Sequence, residues 1–434
     1  MQKIIIHNFG PIKECEMDLA QFIVLTGAQA AGKSTIAKAI YYFSLVKELC
    51  FDFITGSKVN DAGKSKSDIL GEFLLHTFYE LFSDTLSKSV GCSLEYVYTE
   101  NTKIRIYSKK FSPTDIELII DLSENIDELV ERYADRDISF WAIYENSQQL
   151  NYELENLFDL PYTPIYIPAG RSVVTLMTDF MGELLLSSGG IRPRSAMQNL
   201  DYATQRYIRT VLLLRKFFAE GTSNRLYKVR RAWGGSKMSL MKKFLLLSEK
   251  IIKGEYFYRE GAEFLRVKKF DGETADVWIN FASSGQQEIL WVCNIMFYQL
   301  FHGDRVFIIL EEPEAHLYPD SQKYISELIG MFVHAGNRAI ITTHSPYILG
   351  EFNNLLYANE IQGVDEQRNE IVDEEKILPY DNSRAFYVAD GFVKDAMEDH
   401  LIINSLIDGA SDEINTENDR LIELKWSTEE QNEN

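Results

Sequence analysis

The sequence predicts an α/β fold with a mixed sheet, interrupted by a largely helical insertion. Three observations lead there. The apolar run QFIVLT (Gln21 to Thr26) enters the glycine-rich stretch GAQAAGKST, and a helical pattern begins at Ile36. RVFIIL (Arg305 to Leu310) and RAIITT (Arg338 to Thr343) read as two further buried strands, each with polar residues at its end. Between these regions, residues 173 to 253 are mostly helical in pattern and are broken by Gly189-Gly190, Pro193 and Gly234-Gly235.

The first observation is the most specific. Gly27, Gly32, Lys33 and Ser34 fit the pattern GxxxxGK[ST] in the strand–loop–helix setting that a P-loop requires. Glycines let the backbone curl so that its N–H groups face a phosphate, and the helix N-terminus adds a favourable dipole. The candidate nucleotide-binding residues are Gly27, Ala28, Gln29, Ala30, Ala31, Gly32, Lys33, Ser34 and Thr35. Lys33 reaches toward β- and γ-phosphates in this pattern, and Ser34 toward Mg²⁺.

The other elements follow in order. MQKIIIHNF reads as a strand and lacks a signal-peptide pattern. From Asp68 to Leu86, Leu70, Phe73, Leu74, Phe78, Leu81 and Phe82 share one helical face. CSLEYVYT, TKIRIYS and IELIIDL alternate as an antiparallel patch, and an acidic helix begins near Glu124. PIYIPAG (Pro164 to Gly170) reads as a buried strand, while EYFYR, EFLRVKKF and ADVWINF read as a meander. The expected divisions are a first lobe at 1–50, its continuation at 51–172, a basic helical insertion at 173–254, a second lobe at 255–360 and an acidic C-terminal extension at 361–434.

Composition bounds the function. With 45% hydrophobic and 12% aromatic residues, the chain is able to build a core. No apolar run approaches the roughly 18 residues of a membrane span. Cys15, Cys50, Cys92 and Cys293 lie far apart without a CxxC pair, which argues against zinc and a disulfide framework and for a cytoplasmic setting. The net charge of −21 excludes non-specific coating of nucleic acid by the chain as a whole. Residues 192–253 nevertheless hold 15 Lys and Arg against three acids, Asp201, Glu220 and Glu249. Arg206, Arg209 and Lys216, and then Arg225, Lys228, Arg230, Arg231 and Lys237 with Tyr227 and Trp233, have two readings. One is a grip on DNA or RNA backbone with aromatic stacking. The other is docking on this chain's own acidic surface or on a second copy.

Three further segments carry chemistry. VFIILEEPEAHLYP places Glu311 and Glu312 at a strand end, where Glu311 is a candidate Mg²⁺ ligand and Glu312 a candidate base for water. TTHSPYIL places His344 at the end of the next strand. FASSGQQE precedes the acidic strand, and Ser283, Ser284 and Gly285 there suit a helix start that meets an anion.

In this order the segments resemble the ABC-type ATPases. GAQAAGKS matches Walker A, SSGQQ resembles the signature LSGGQ, FIILEE resembles Walker B, and the His of TTHS resembles the H-loop. IHNFGPI, EEPEAHLYP and TTHSPYIL look like the SMC-like and RecF-like branch, including the overcoming-lysogenization-defect group. The match covers about residues 1–50 and 255–360. It implies an ABC-type P-loop NTPase head that binds ATP and Mg²⁺ and hydrolyses ATP. The implied catalytic residues are Lys33, Glu312 and His344, and the implied metal ligands are Ser34 and Glu311. It also implies a homodimer in which Ser284 and Gly285 of one copy face the ATP held by the other.

Glu311 stands where Walker B usually has Asp, and the signature lacks its first Leu and second Gly. Gln148, Gln149 and Gln198 are the candidates for the Q-loop glutamine. No sustained heptads support a long coiled-coil arm. The 90 residues after His344 hold no DxD pair for a nuclease of the TOPRIM kind. The expectation is therefore an ATP-gated switch in anti-phage defence or DNA maintenance, working with a separate effector such as a nuclease. The alternatives are the ATP-binding subunit of an ABC transporter and a nucleotide-gated scaffold with negligible turnover.

Overall fold

The computed structural model describes residues 2–56, 63–87, 91–112, 115–134, 140–172, 200–403 and 414–423. The chain opens with strands β1 (Lys3–Phe9), β2 (Ile12–Asp18) and β3 (Phe22–Thr26), followed by helices α1 (Lys33–Gly56) and α2 (Lys66–Ser87). Strands β4 (Ser93–Val97), β5 (Lys103–Ser112) and β6 (Asp115–Leu122) precede α3 (Glu124–Ala134), α4 (Phe140–Phe158) and β7 (Thr163–Ile167). Helices α5 (Tyr202–Leu214), α6 (Thr222–Val229) and α7 (Gly235–Ile252) lead to β8 (Glu255–Arg259), β9 (Ala262–Lys268) and β10 (Thr274–Trp278). The second half continues with α8 (Ser284–His302), β11 (Val306–Glu311), α9 (Pro319–His334), β12 (Arg338–Thr343), α10 (Pro346–Glu360), β13 (Ser383–Ala389) and β14 (Phe392–Asp395).

Eleven strands form one mixed sheet in the order β6-β5-β4-β1-β2-β14-β13-β3-β12-β11-β7, and β8 to β10 form a separate antiparallel meander. The strands from β13 to β7 in this order run parallel, so β3, β11 and β12 all end at one edge. In β3, β11 and β12 every residue is buried, because helices cover both faces. Ile23 and Leu25 of β3 pack with α1 residues such as Ile36 and Ile40. Phe22 and Val24 point to the opposite face, into a core with Leu290 and Trp291 of α8, Leu328 of α9 and Phe352 of α10. The antiparallel half alternates instead, as in β4, where Leu94 and Tyr96 are buried and their neighbours are not.

Two of the expected divisions share the core of the fold. Residues 361–434 are not wholly an extension, because Ser383–Tyr387 pair in parallel with Phe22–Thr26 beside the P-loop strand. Its strand SRAFYVA lies behind an acidic stretch, and pairing with a strand near the far end of the chain places it in the sheet. The insertion at 173–254 is helical over its described part, but it is not set apart from the core. Tyr207, Val211, Phe218, Met241 and Phe244 join the same core as Trp291 and Phe297. An apolar helical stripe must bury itself, and the sheet's second face is where it does so. Residues 173–199, including Arg192, and the acidic tail at 424–434 lie outside the described residues. Among the described residues no helix is long and apolar enough to cross a membrane.

Candidate nucleotide site

The loop after β3 is a backbone cradle. Gly27 has φ 137°, Ala30 φ 59° and Gly32 φ 108°. A Cβ on Gly27 would lie 2.2 Å from the Val388 carbonyl oxygen of β13, and one on Gly32 would lie 2.4 Å from Cδ1 of Ile12. Gly27 therefore needs glycine for space as well as for conformation, and Gly32 for its conformation. Lys33 opens α1, and its ammonium donates to the carbonyls of Gly27 at 3.0 Å and Ala28 at 2.8 Å. The ammonium is thus held over the loop's concave side, where phosphates of a nucleotide fit the curled backbone. Burial pulls Lys33 below its ordinary pKa, while the carboxylates of Glu312, Glu314 and Glu311 pull it up.

The acids come from β11. Glu311 pairs in register with Thr342, and Thr343 with Thr26, so the β11, β12 and β3 ends converge. Glu311 is buried; its Oε2 accepts from the Ala169 N–H at 3.2 Å, and its Oε1 is buried without a hydrogen-bond partner. An orphaned buried carboxylate oxygen beside a P-loop fits a divalent cation.

Glu312 follows the strand with φ 41°, and its N–H donates to the Thr342 carbonyl at 2.9 Å. His344 Nε2 lies 3.5 Å from Glu312 Oε1. His344 holds the Glu312 carboxyl below the ordinary value, and burial acts the other way. Glu314 accepts from the Thr343 hydroxyl at 2.8 Å and the His344 N–H at 2.7 Å, while burial pushes its pKa up.

Ser284 and Gly285 start α8 on the sheet face opposite α1. Ser283 caps the helix, accepting from the Gln286 N–H, and the Gln286 side chain accepts from the Ser283 N–H at 3.0 Å. A Cβ on Gly285 would lie 2.6 Å from the His316 carbonyl oxygen, so glycine lets the helix start sit against the loop after β11. The structure thus gathers Gly27–Thr35, Glu311, Glu312 and His344 at one edge and sets Ser284 and Gly285 on the other face.

None of the candidate Q-loop glutamines joins this edge by an observed contact. Gln148 and Gln149 are exposed on α4, where Gln149 donates to Glu153 at 3.0 Å, and Gln198 lies outside the described residues. On the side away from β12, β11 pairs with β7, which is followed by Pro168, Ala169, Gly170 and Arg171.

The sequence reading missed Arg171, Glu288 and Glu314. Arg171 is fully buried and bonds to Glu288 and to the carbonyls of Pro168, Glu311 and Glu312. The available signal was a lone arginine just past an apolar strand, which carries little by itself. Glu314 was visible as the last acid of EEPE but had no assigned partner.

The basic segment mostly meets acids and carbonyls of this chain. Arg206 pairs with Glu48 at 2.7 Å, Lys228 with Glu220 at 2.6 Å, and Lys243 with Asp373 and Glu375 at 2.9 and 2.6 Å. Arg215 is buried against Glu263, and Lys237 donates to the Phe301 carbonyl at 3.0 Å. Trp233 packs edge-on against Phe301, and Arg225 lies 4.0 Å over the Phe217 ring. Arg209, Lys216 and Arg231 are exposed.

The model of the AAA ATPase domain matches residues 1–162 and 221–349, more than half of the chain. This chain belongs to the AAA ATPase domain family. That membership implies ATP binding with Mg²⁺ and ATP hydrolysis. No curated protein matches the chain. Solved structures similar to this AAA ATPase chain include the SMC head domain from Thermotoga maritima, with 10% identity and a TM-score of 0.37 over 92% of this chain and 98% of that one. A second is an SmcHead bound to the C-winged helix domain of ScpA, with 11% identity and a TM-score of 0.38 over 91% and 95%. A third is an Smc head domain with an extended coiled coil bound to the C-terminal domain of ScpA derived from Pyrococcus furiosus, with 12% identity and a TM-score of 0.38 over 91% and 96%.

Proposed function

We propose that this AAA ATPase is an ATP-gated dimer switch of the SMC-like ABC type. The carrying observation is the division of the site: the P-loop, Glu311, Glu312 and His344 share one edge with α1, while Ser284 and Gly285 open a helix on the opposite face. A second copy related by a two-fold axis presents its Ser284 helix start to the phosphates held by Gly27–Thr35. The partner's helix dipole and Lys33 then neutralise charge on the γ-phosphate.

In this reading Ser34 and Glu311 hold Mg²⁺, which supplies charge neutralisation on the phosphate oxygens. Glu312 takes the proton of the attacking water, since its carboxylate is kept ionised by His344. His344 Nε2, beside that carboxylate, donates a hydrogen bond toward the γ-phosphate, and Glu314 fixes the His344 backbone from below. Hydrolysis removes the bridging phosphate and lets the copies part.

The output in this reading is anti-phage defence or DNA maintenance through a separate effector, such as a nuclease, as the resemblance of EEPEAHLYP and TTHSPYIL to the SMC-like and RecF-like branch implies. Phosphate release from ATP and Mg²⁺, lost in Glu312→Gln, tests the enzyme reading. Tagged Glu312→Gln recovered from its host in ATP and Mg²⁺ tests the effector. A stoichiometric nuclease or toxin-like protein supports a defence pair; recovery of the chain with nucleic acid alone contradicts it.

A further inference from the structure

Arg171 joins the helix that opens at Ser284 to the strand end that carries Glu311 and Glu312. Its side chain has 0% exposure. Nε donates to the Glu288 carbonyl at 3.0 Å and lies 3.3 Å from Glu288 Oε2. Nη1 donates to the Pro168 carbonyl at 2.9 Å and to the Glu311 carbonyl, and Nη2 donates to the Glu312 carbonyl at 3.0 Å. The Glu288 carboxylate also accepts from the N–H groups of Arg171 at 3.2 Å and Ser172 at 3.0 Å.

Glu288 lies four residues beyond Ser284, so it is one helical turn from the helix start. A guanidinium is a planar fork, and motion of Glu288 is passed on to the carbonyls of residues 311 and 312. The Glu312 backbone sits at φ 41°, a conformation a non-glycine residue keeps only when its surroundings impose it. Thr342 holds its N–H and Arg171 its carbonyl. Stability alone does not account for the pair, because a buried ion pair gains little over an apolar pair of similar volume.

We infer that Arg171 is a positioning residue: with Glu288 it passes the seating of the Ser284–Gly285 helix start to Glu312 of the same copy, and so couples the two nucleotide sites of a dimer. The inference rests on the dimer-switch reading. One copy's helix start meets its partner's nucleotide, and the relay ends at that copy's own Glu312, so each site senses the other.

The test is steady-state hydrolysis by the full chain across an ATP titration, for wild type, Arg171→Lys and Glu288→Gln, with melting and nucleotide affinity measured in parallel. Wild type is expected to respond sigmoidally to ATP. Both variants are expected to respond hyperbolically, with kcat reduced about tenfold, nucleotide affinity unchanged and a lower melting temperature from the altered buried pair. If either single variant fails to fold, the paired Arg171→Met/Glu288→Met variant removes both charges together and takes its place. A hyperbolic wild type, or variants that keep the wild-type Hill coefficient while melting earlier, would overturn the inference. Sedimentation of Glu312→Gln separates the two claims: a dimer with hyperbolic kinetics sinks the coupling alone, and a monomer in ATP sinks the dimer reading.

Discussion

His344 Nε2 stands 3.5 Å from Glu312 Oε1, across two adjacent parallel strand ends. The pairing sets the charge on the residue proposed to activate water. It also predicts how hydrolysis responds to pH.

Glu312 is held below the ordinary carboxylate pKa first by His344, with burial opposing. A depressed carboxylate keeps its charge above the ordinary value and loses it as pH falls through the lower one. The acid limb of the kcat profile therefore lies below the ordinary carboxylate range. In His344→Ala the largest lowering cause is gone while burial remains, opposed only by the charges of Lys33 and Arg171, and the limb moves to higher pH. Single-turnover hydrolysis across pH checks this; superimposable profiles contradict it.

Lys33→Ala is expected to weaken ATP binding about 10- to 100-fold, the worth of a charge-assisted contact. The loop itself should persist, because its glycines and not Lys33 set the backbone. Calorimetric titration with ATP reads the change, and unchanged affinity rejects the P-loop assignment.

Gly285→Ala is expected to separate binding from assembly. A Cβ there meets the His316 carbonyl at 2.6 Å, so the helix start must shift. ATP affinity of the monomer should stay within a factor of about two, while ATP-dependent dimerisation weakens about tenfold. Equal losses in both would contradict this placement.

A chain ended at residue 360 is expected not to fold. It loses β13, exposes an edge of β3 and empties the sites of Ala385, Phe386 and Val388. Burying a single large apolar side chain contributes about 1.5–3 kcal/mol, and the lost strand pairing adds to this. Circular dichroism and soluble yield of the 1–360 chain read the outcome.

The segments that form the candidate site were legible because their signals are local. The GxxxxGK[ST] spacing and a following helix mark Gly27 and Gly32, and an apolar run ending in acids marks Glu311 and Glu312. The meander, the antiparallel patch and α2 were legible from period alone. Arg171 was not, since its meaning comes from Glu288, Glu311 and Glu312, each more than a hundred residues away. The place of β13 was hidden for the same reason: its partner is β3, near the other end of the chain. The basic run was visible, but its pairing with Glu48, Glu263 and Asp373 was not.

Sedimentation of Glu312→Gln with and without ATP and Mg²⁺ tests the central claim most directly. The account predicts a monomer without nucleotide and a stable dimer with it, and predicts that adding Gly285→Ala reverses the dimer. A monomer at saturating ATP would contradict it.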